Sequence, residues 1–429
     1  MARTETEGRA GTDARELPDY LSRHAADMLA DLEDLVKVES PSDDLAALDR
    51  AVEVLAAKFA GGGGGSWPDL GVTLERVPPG APGPGGGGTA APEPPTAAAH
   101  LLVRFPSVLR SGEPRSAAGG PGPEPDGRQV LLLGHIDTVW PVGTLAERPF
   151  RVEDGKAYGP GAYDMKAGLV VALWALRALA ACGRRPPRPV TLLVNTDEEV
   201  GSRTSEAVIE AEARRSAAVL VLEPALPDGA VKTWRKGVGR FRVEVRGRAA
   251  HAGAEPEKGV SAVEELARQV LRLHELTDLE TGTTVNVGVI GGGTRPNVVA
   301  ERAWAEVDVR VMTREEADRI QEVILGLRPV LPGAGLEVSG GVGRLPMERN
   351  EGTLALYAKA REVAAELGFD LPESGTGGAS DGNITSALGV PTLDGLGAAG
   401  DGAHAEHEHV DLATLPLRAA LLAGLVERV

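Results

Sequence analysis

Histidine and acidic side chains recur at one kind of place in this sequence, the point where an apolar run stops. The run Pro189-Val190-Thr191-Leu192-Leu193-Val194 reads as a buried strand and leads into Asp197-Glu198-Glu199. Val130-Leu131-Leu132-Leu133-Gly134 stops at His135-Ile136-Asp137, and Val219-Leu220-Val221-Leu222 stops at Glu223-Pro224. Tyr163-Asp164-Met165-Lys166 opens a long apolar helix. In open α/β sheets, ligands bind at the carboxyl ends of the strands. Zinc accepts His nitrogen and carboxylate oxygen, and a catalytic site leaves a position for water. The convergence therefore suggests a metal site. A carboxylate shared by two ions would suit a pair about 3.5–4 Å apart.

Each residue also has a plainer use. Asp137, two residues after His135, could hold the second ring nitrogen of that histidine and fix its tautomer. Asp164 could cap the helix that follows it. Glu198 and Glu199 can point apart on a loop, one to a metal and the other to a water as general base; equally, Asp-Glu-Glu can be a solvated helix start that favours negative charge. Glu223 could simply end a strand. His404, His407 and His409 could form a surface cluster. Only their shared position at strand ends favours chemistry.

The elements that must carry these groups can be read from the apolar periodicity. Residues 20–38 and 45–59 have helical spacing. Short strands are expected at 71–77 and 100–105, separated by Gly/Pro-rich insertions near 78–96 and 111–127 that read as solvated loops. From 129 to 222 strands alternate with helices, the pattern of a parallel sheet covered on both faces. After Trp234 the style changes. Strands at 239–247, 283–290, 301–312 and 335–339 frame helices at 259–275 and 314–327, the β-α-β-β-α-β order of a ferredoxin-like unit. Helix and strand alternation then resumes, with a closing helix at 412–427. The expected fold is α/β, a mixed and mostly parallel sheet flanked by helices. Its first part spans 18–232 and its second 345–429, with an α+β unit inserted at 233–344.

The 429 residues suffice for two cores. A net charge of −17 disfavours nucleic acid and anionic membranes as partners. The one cysteine, Cys182, excludes an intramolecular disulfide and a thiolate cluster. Residues 1–17 are polar and expected to fray. No apolar run is long enough to span a membrane, and a cytoplasmic location is expected.

Four blocks, in this order and spacing, resemble the signature blocks of the M20 metallopeptidases: His135-Ile136-Asp137-Thr138-Val139, Gly159-Pro160-Gly161-Ala162-Tyr163-Asp164-Met165-Lys166-Ala167-Gly168, Asp197-Glu198-Glu199-Val200-Gly201-Ser202 and Leu222-Glu223-Pro224. Leu222-Glu223-Pro224 and Gly377-Gly378-Ala379-Ser380-Asp381-Gly382-Asn383 look most like the glutamate carboxypeptidase branch. The resemblance implies two zinc ions, or other divalent ions such as cobalt or manganese. It implies His135 and Glu223 on one, Glu199 and His404 on the other, and Asp164 bridging. His404 fits the closing block, with Glu408 and Val410 following; His407 is its rival, and His409 stands where the family usually has Tyr. Asp137 would orient His135, and Glu198 would be the general base. The peptide after the bridging Asp, here Asp164-Met165, is often cis in the family.

The inserted unit resembles the family's lid, which commonly dimerises. Gly247-Arg248-Ala249-Ala250-His251-Ala252-Gly253 matches its signature. By that resemblance His251 would stabilise the oxyanion in a neighbouring subunit's site, unless it is a buried capping residue. Asn297, Arg310 and Gly378 fall at substrate-binding positions, the first two for a terminal carboxylate. The implied activity is hydrolysis of an amide or peptide bond in a small peptide or N-acyl amino acid, releasing an amino acid with a free carboxylate. An N-acyl-amino-acid deacylase, an aminopeptidase and a non-catalytic binding relative are the alternatives.

Overall fold

The computed structural model describes residues 16–61, 70–80, 98–106 and 126–429. The Gly/Pro-rich insertions lie almost wholly outside the described residues, as do residues 1–15.

A six-stranded sheet carries the chemistry. Its order is Thr73–Val77, His100–Phe105, Val190–Asn195, Gln129–His135, Ser216–Val221, Thr392–Leu393. The last four are mutually parallel, and the first two add antiparallel edges. Side chains alternate across a strand, and here both faces are buried. Val130, Leu132, Leu192, Val194 and Leu220 face one core. Leu131, Leu133, Leu193, Val219 and Val221 face another, against Ile209 and Ala213. The first core is closed by Ala167–Ala181, whose Trp174 is fully buried, and by Thr414–Val426. Strands buried on both faces must read as continuous apolar runs, which is why they were visible in the sequence.

A second sheet has the order Thr284–Gly292, Arg302–Val311, Gly237–Arg246, Gly335–Arg344, all antiparallel. Helices Ala262–His274 and Arg314–Leu325 cover its Phe241, Val243, Val307 and Val309 face. Both helices begin on a hydroxyl cap: Ser261 accepts from the Glu264 amide and Thr313 from that of Glu316. The opposite face presents Val238, Arg240, Asp308 and Arg310, in register across adjacent strands.

Three details differ from expectation. The helix expected over 20–38 is two, Glu16–Arg23 and Ala25–Val36. The chain turns at His24, whose ring bonds Asp27 Oδ2 at 2.8 Å and packs on Tyr20 and Trp174. Leu17 is 4 % exposed, so the expected fraying does not reach it. Finally, six short strands among the described residues were not foreseen: Arg151–Glu153, Lys156–Tyr158, Val231–Arg235, Glu373–Thr376, Gly400–Asp401 and His409–Asp411. The first two form a hairpin whose turn residues, Asp154 and Gly155, both have positive φ. His409–Asp411 pairs with Lys156–Tyr158, which brings the His404 loop alongside Asp164. No described helix is long and apolar enough to cross a membrane.

Candidate active site

His135 ends the strand Gln129–His135, and its ring is 2 % exposed. Its Nδ1 lies 3.0 Å from the Asp137 carbonyl and 3.3 Å from Asp137 Oδ1. The backbone oxygen is thus the nearer partner, with the carboxylate behind it. Nε2 faces the other way, 3.5 Å from Asp164 Oδ1 and 3.5 Å from Glu223 Oε1. A second group mirrors this one. His404 Nε2 lies 3.3 Å from Asp164 Oδ2 and 3.2 Å from Glu199 Oε2. Asp164 thus stands between the two histidines and gives one oxygen to each group.

These spacings decide what the groups can hold. Ligand atoms about 2.1 Å from a tetrahedral cation stand about 3.4 Å apart. The four observed distances fall at that value. In addition, Asp164 Oδ1 and Glu199 Oε1 are buried without a hydrogen-bond partner. A buried carboxylate oxygen without a donor is costly, and a cation between the groups would satisfy both. The residues therefore fit a pair of divalent ions. Asp164 is not the helix cap; Lys166 is, and Asp164 has extended backbone (φ −112°, ψ 97°) in the irregular turn Ala162–Lys166. The Asp164-Met165 peptide is cis. His404 sits at φ 62°, a left-handed conformation unusual for a non-glycine residue.

Asp137 is fully buried and does more than face His135. Its Oδ1 accepts from the Glu198 amide at 3.2 Å, and its Oδ2 accepts from the Glu199 amide at 3.1 Å and from Ser42 Oγ at 2.8 Å. One carboxylate thus positions both His135 and the two glutamates. Burial pushes the Glu198 carboxyl well above the ordinary carboxylate range, reinforced by Asp381 and Glu223 and opposed by His135 and Arg344. A carboxyl tuned toward neutral suits general acid–base work.

Sequence reasoning missed three supports. Arg235, 3 % exposed, bonds Glu223 Oε2 at 3.2 Å and grips Asp394 through Nε at 2.7 Å and Nη2 at 3.0 Å. Asp381 accepts from Asn195 Nδ2 at 2.5 Å and from Ser202 Oγ, which brackets the Glu198 turn at both ends. Glu408 accepts four donors: Gly161 N at 2.9 Å, Tyr163 N and Asp164 N at 3.0 Å each, and Trp140 Nε1 at 2.8 Å. It fixes the turn that presents Asp164. The closing block contained Glu408, but nothing in its spacing showed what it would hold.

Two consequences can be measured. Glutamine at 408 has one acceptor oxygen and would turn an NH2 toward two of the four donors. Glu408→Gln should therefore weaken divalent-ion binding about 10–100-fold, read by titrating the metal-free protein with cobalt, while circular dichroism stays unchanged. The second consequence is a pH dependence. The Asp164 and Glu199 carboxylates push the His404 pKa up to about 10, against partial burial. Burial would lower His135, but Asp137, Asp164 and Glu223 outweigh it and hold it well above an ordinary histidine. Both shifts favour the protonated imidazole in the metal-free protein. The stability that their ion pairs supply is fully present below about pH 6.5 and lost as pH rises through about 10 for His404. A cation must displace those protons, so its affinity should rise by about tenfold per pH unit for each proton released. Calorimetry at pH 6 and pH 8 checks this; a pH-independent Kd would contradict it.

The remaining expected residues are placed as follows. His407 is exposed, and its carbonyl faces His409 Nδ1 at 2.9 Å. His409 is buried against Lys156, with Nε2 3.0 Å from Nζ. His251 is exposed rather than buried; its Nδ1 accepts from the Gly253 and Ala254 amides at 3.2 and 3.1 Å. Asn297 lies beside it, its carbonyl accepting from Ala252 N at 3.0 Å. Neither lines the cavity next to Glu198, nor does Gly378, whose carbonyl accepts from Arg235 Nη1 at 3.2 Å. Arg310 does line that cavity, but its guanidinium is already taken, by Asp308 through Nε at 2.8 Å and Nη2 at 3.1 Å.

A parallel-sheet domain whose strand ends assemble paired imidazole and carboxylate ligands around a shared aspartate, with a second sheet beside it, has the make-up of a metal-dependent hydrolase. The pattern of peptidase family M20/M25/M40 matches residues 131–428. The chain belongs to this family, whose members are dinuclear metal enzymes. It is 35 % identical over 305 residues to carboxypeptidase G2 of Pseudomonas sp. strain RS-16, covering 70 % of this chain and 74 % of that one. It is 30 % identical over 326 residues to succinyl-diaminopimelate desuccinylase of Alkalilimnicola ehrlichii, covering 70 % and 84 %. In fold it is similar to aminopeptidase PepT of Bacillus cereus, with a TM-score of 0.70 at 22 % identity over 94 % of this chain and 98 % of that one.

Proposed function

We propose that this metallohydrolase is a carboxypeptidase-like amidohydrolase that releases an amino acid with a free carboxylate. The observation that carries the reading is Glu198. It is a half-buried carboxyl beside a cluster with two ligand groups, and it opens on a cavity lined by arginines. The similarity to carboxypeptidase G2 supports the carboxypeptidase branch.

His135 and Glu223 would hold one ion, zinc being the best fit to this nitrogen and oxygen set. Glu199 and His404 would hold the other, and Asp164 both. When bound, the ions supply Lewis acidity to the scissile carbonyl and to water. Glu198 takes a proton from the attacking water on its carboxylate oxygen and returns it to the leaving amine nitrogen. Asp137 keeps Glu198 and Glu199 in place through their amides. Arg235 keeps Glu223 turned toward His135. His251 lies outside its own chain's cluster, so its oxyanion role calls for a second subunit. Exposed Val289 and Ile290 on the edge strand Thr284–Gly292, with Leu271 on a covering helix, support a dimer made through the second sheet.

Mass spectrometry of products from a panel of N-acyl amino acids and dipeptides with blocked or free ends tests the reading. Release of the C-terminal amino acid, with a free carboxylate required, is expected. Cleavage that requires a free amino terminus would make it an aminopeptidase instead.

A further inference from the structure

The loop that presents His404 joins two short strands. Gly400–Asp401 and His409–Asp411 pair antiparallel, and residues 402–408 run between them. The His404 side chain is 54 % exposed, so packing does not fix it. Its backbone stands at φ 62°, a conformation that is costly for a non-glycine residue and persists only where the surroundings hold it. Within the loop, the amides of Ala405 and Glu408 bond the carbonyls of Gly402 and Ala405 at 2.8 and 3.0 Å. Those bonds shape the turn. They do not tie it to the rest of the molecule. The Glu408 carboxylate is one such tie, through the Asp164 turn.

His409 supplies another. Its ring turns back on the loop, with Nδ1 2.9 Å from the His407 carbonyl and Nε2 3.0 Å from Lys156 Nζ. A carbonyl oxygen only accepts, and an ammonium only donates. The two partners therefore leave one arrangement. Lys156 donates to a bare Nε2, and Nδ1 carries the hydrogen and donates to the His407 carbonyl. The other tautomer would set an N–H against the ammonium and a lone pair against the carbonyl oxygen. His409 is 8 % exposed and lies beside the Tyr158 ring, centroid to centroid 5.3 Å, so water has little access to replace either partner. Lys156 comes from a strand 253 residues earlier in the chain, and its Nζ also lies 3.9 Å from Asp411 Oδ1. We infer that Lys156 and His409 are positioning residues for His404: Lys156 sets the tautomer of His409, and Nδ1–H of His409 holds the loop so that His404 faces Asp164 and Glu199. Neither residue touches the reacting atoms. The inference rests on the paired-ion reading for what His404 holds, and not on the choice of substrate.

Three substitutions separate the two bonds. His409→Asn puts an amide NH2 where Nδ1 stands and keeps the bond to the loop. His409→Gln reaches toward Lys156 and gives up the loop. His409→Phe keeps a ring and loses both bonds. Each metal-free protein is titrated with zinc against a competing chelator, and His404→Ala marks the step that belongs to the ion of Glu199 and His404. Phe and Gln should weaken that step about tenfold, the low end of the loss when support to a metal ligand is removed, and leave the step of His135 and Glu223 within about twofold. Asn should recover most of the loss. Nitrogen NMR of the metal-free wild type should show His409 protonated at Nδ1 and bare at Nε2, and Lys156→Met should release a mixture of tautomers. The inference is overturned if the proton sits on Nε2, if Asn is as weak as Phe, or if Phe leaves both zinc steps unchanged. It is also overturned if Phe weakens both steps equally as the melting temperature falls, which is the mark of a merely structural role. A wild type that takes up only one zinc would overturn the paired-ion reading, and the role at His404 with it.

Discussion

Glu198→Ala is expected to lower kcat by about 10²–10⁴-fold, the range supplied by a positioned proton-transfer group, while KM changes little. The half-buried Glu198 side chain forms no ion pair with either imidazole among the described residues, so both ligand groups are expected to survive its removal. Its backbone amide still reaches Asp137, so the turn keeps its shape. The decisive control is metal content. Inactive protein that still binds two ions identifies Glu198 as the proton carrier. Inactive protein that has lost an ion would make Glu198 a ligand instead. Steady-state kinetics and metal analysis of one preparation read both.

Asp164→Asn is expected to remove tight binding of at least one ion and, with it, activity. Asp164 touches both groups, Oδ1 toward His135 and Oδ2 toward His404. The amide is nearly isosteric but neutral. It keeps one acceptor and turns a donor NH2 toward the other ion. A four-ligand zinc site is worth on the order of 10–16 kcal/mol. One ligand of four is then worth about 3 kcal/mol, or about 10²-fold in Kd. Titration with zinc against a competing chelator should show one site weakened at least that far and the other perturbed. Two unaltered sites would mean that Asp164 does not bridge.

How much of this was legible can be argued residue by residue. The strands ending in His135, Asn195 and Val221 are buried on both faces, so their continuous apolar runs announced them. Side chains at the ends of parallel strands point to one edge of the sheet, so the ligand cluster followed from topology. The cross-chain supports did not. Arg235, Asp381 and Glu408 are polar residues in ordinary local contexts; only the tertiary fold brings Arg235 to Glu223 or Glu408 to the Asp164 turn. The hairpin at Asp154-Gly155 had its signal, a pair suited to positive φ, but its strands of three residues are too short to show periodicity. The engagement of Arg310 was also visible in principle. Asp308 and Arg310 are two apart on a strand and must share a face, so a pair of opposite charge there is expected to close on itself.

The central claim is that two divalent ions sit on either side of Asp164. Anomalous diffraction at the zinc edge from zinc-loaded crystals tests it most directly. The account predicts two peaks, one bounded by His135, Asp164 and Glu223 and the other by Asp164, Glu199 and His404. A single peak, or peaks at His407 or His409, would contradict it.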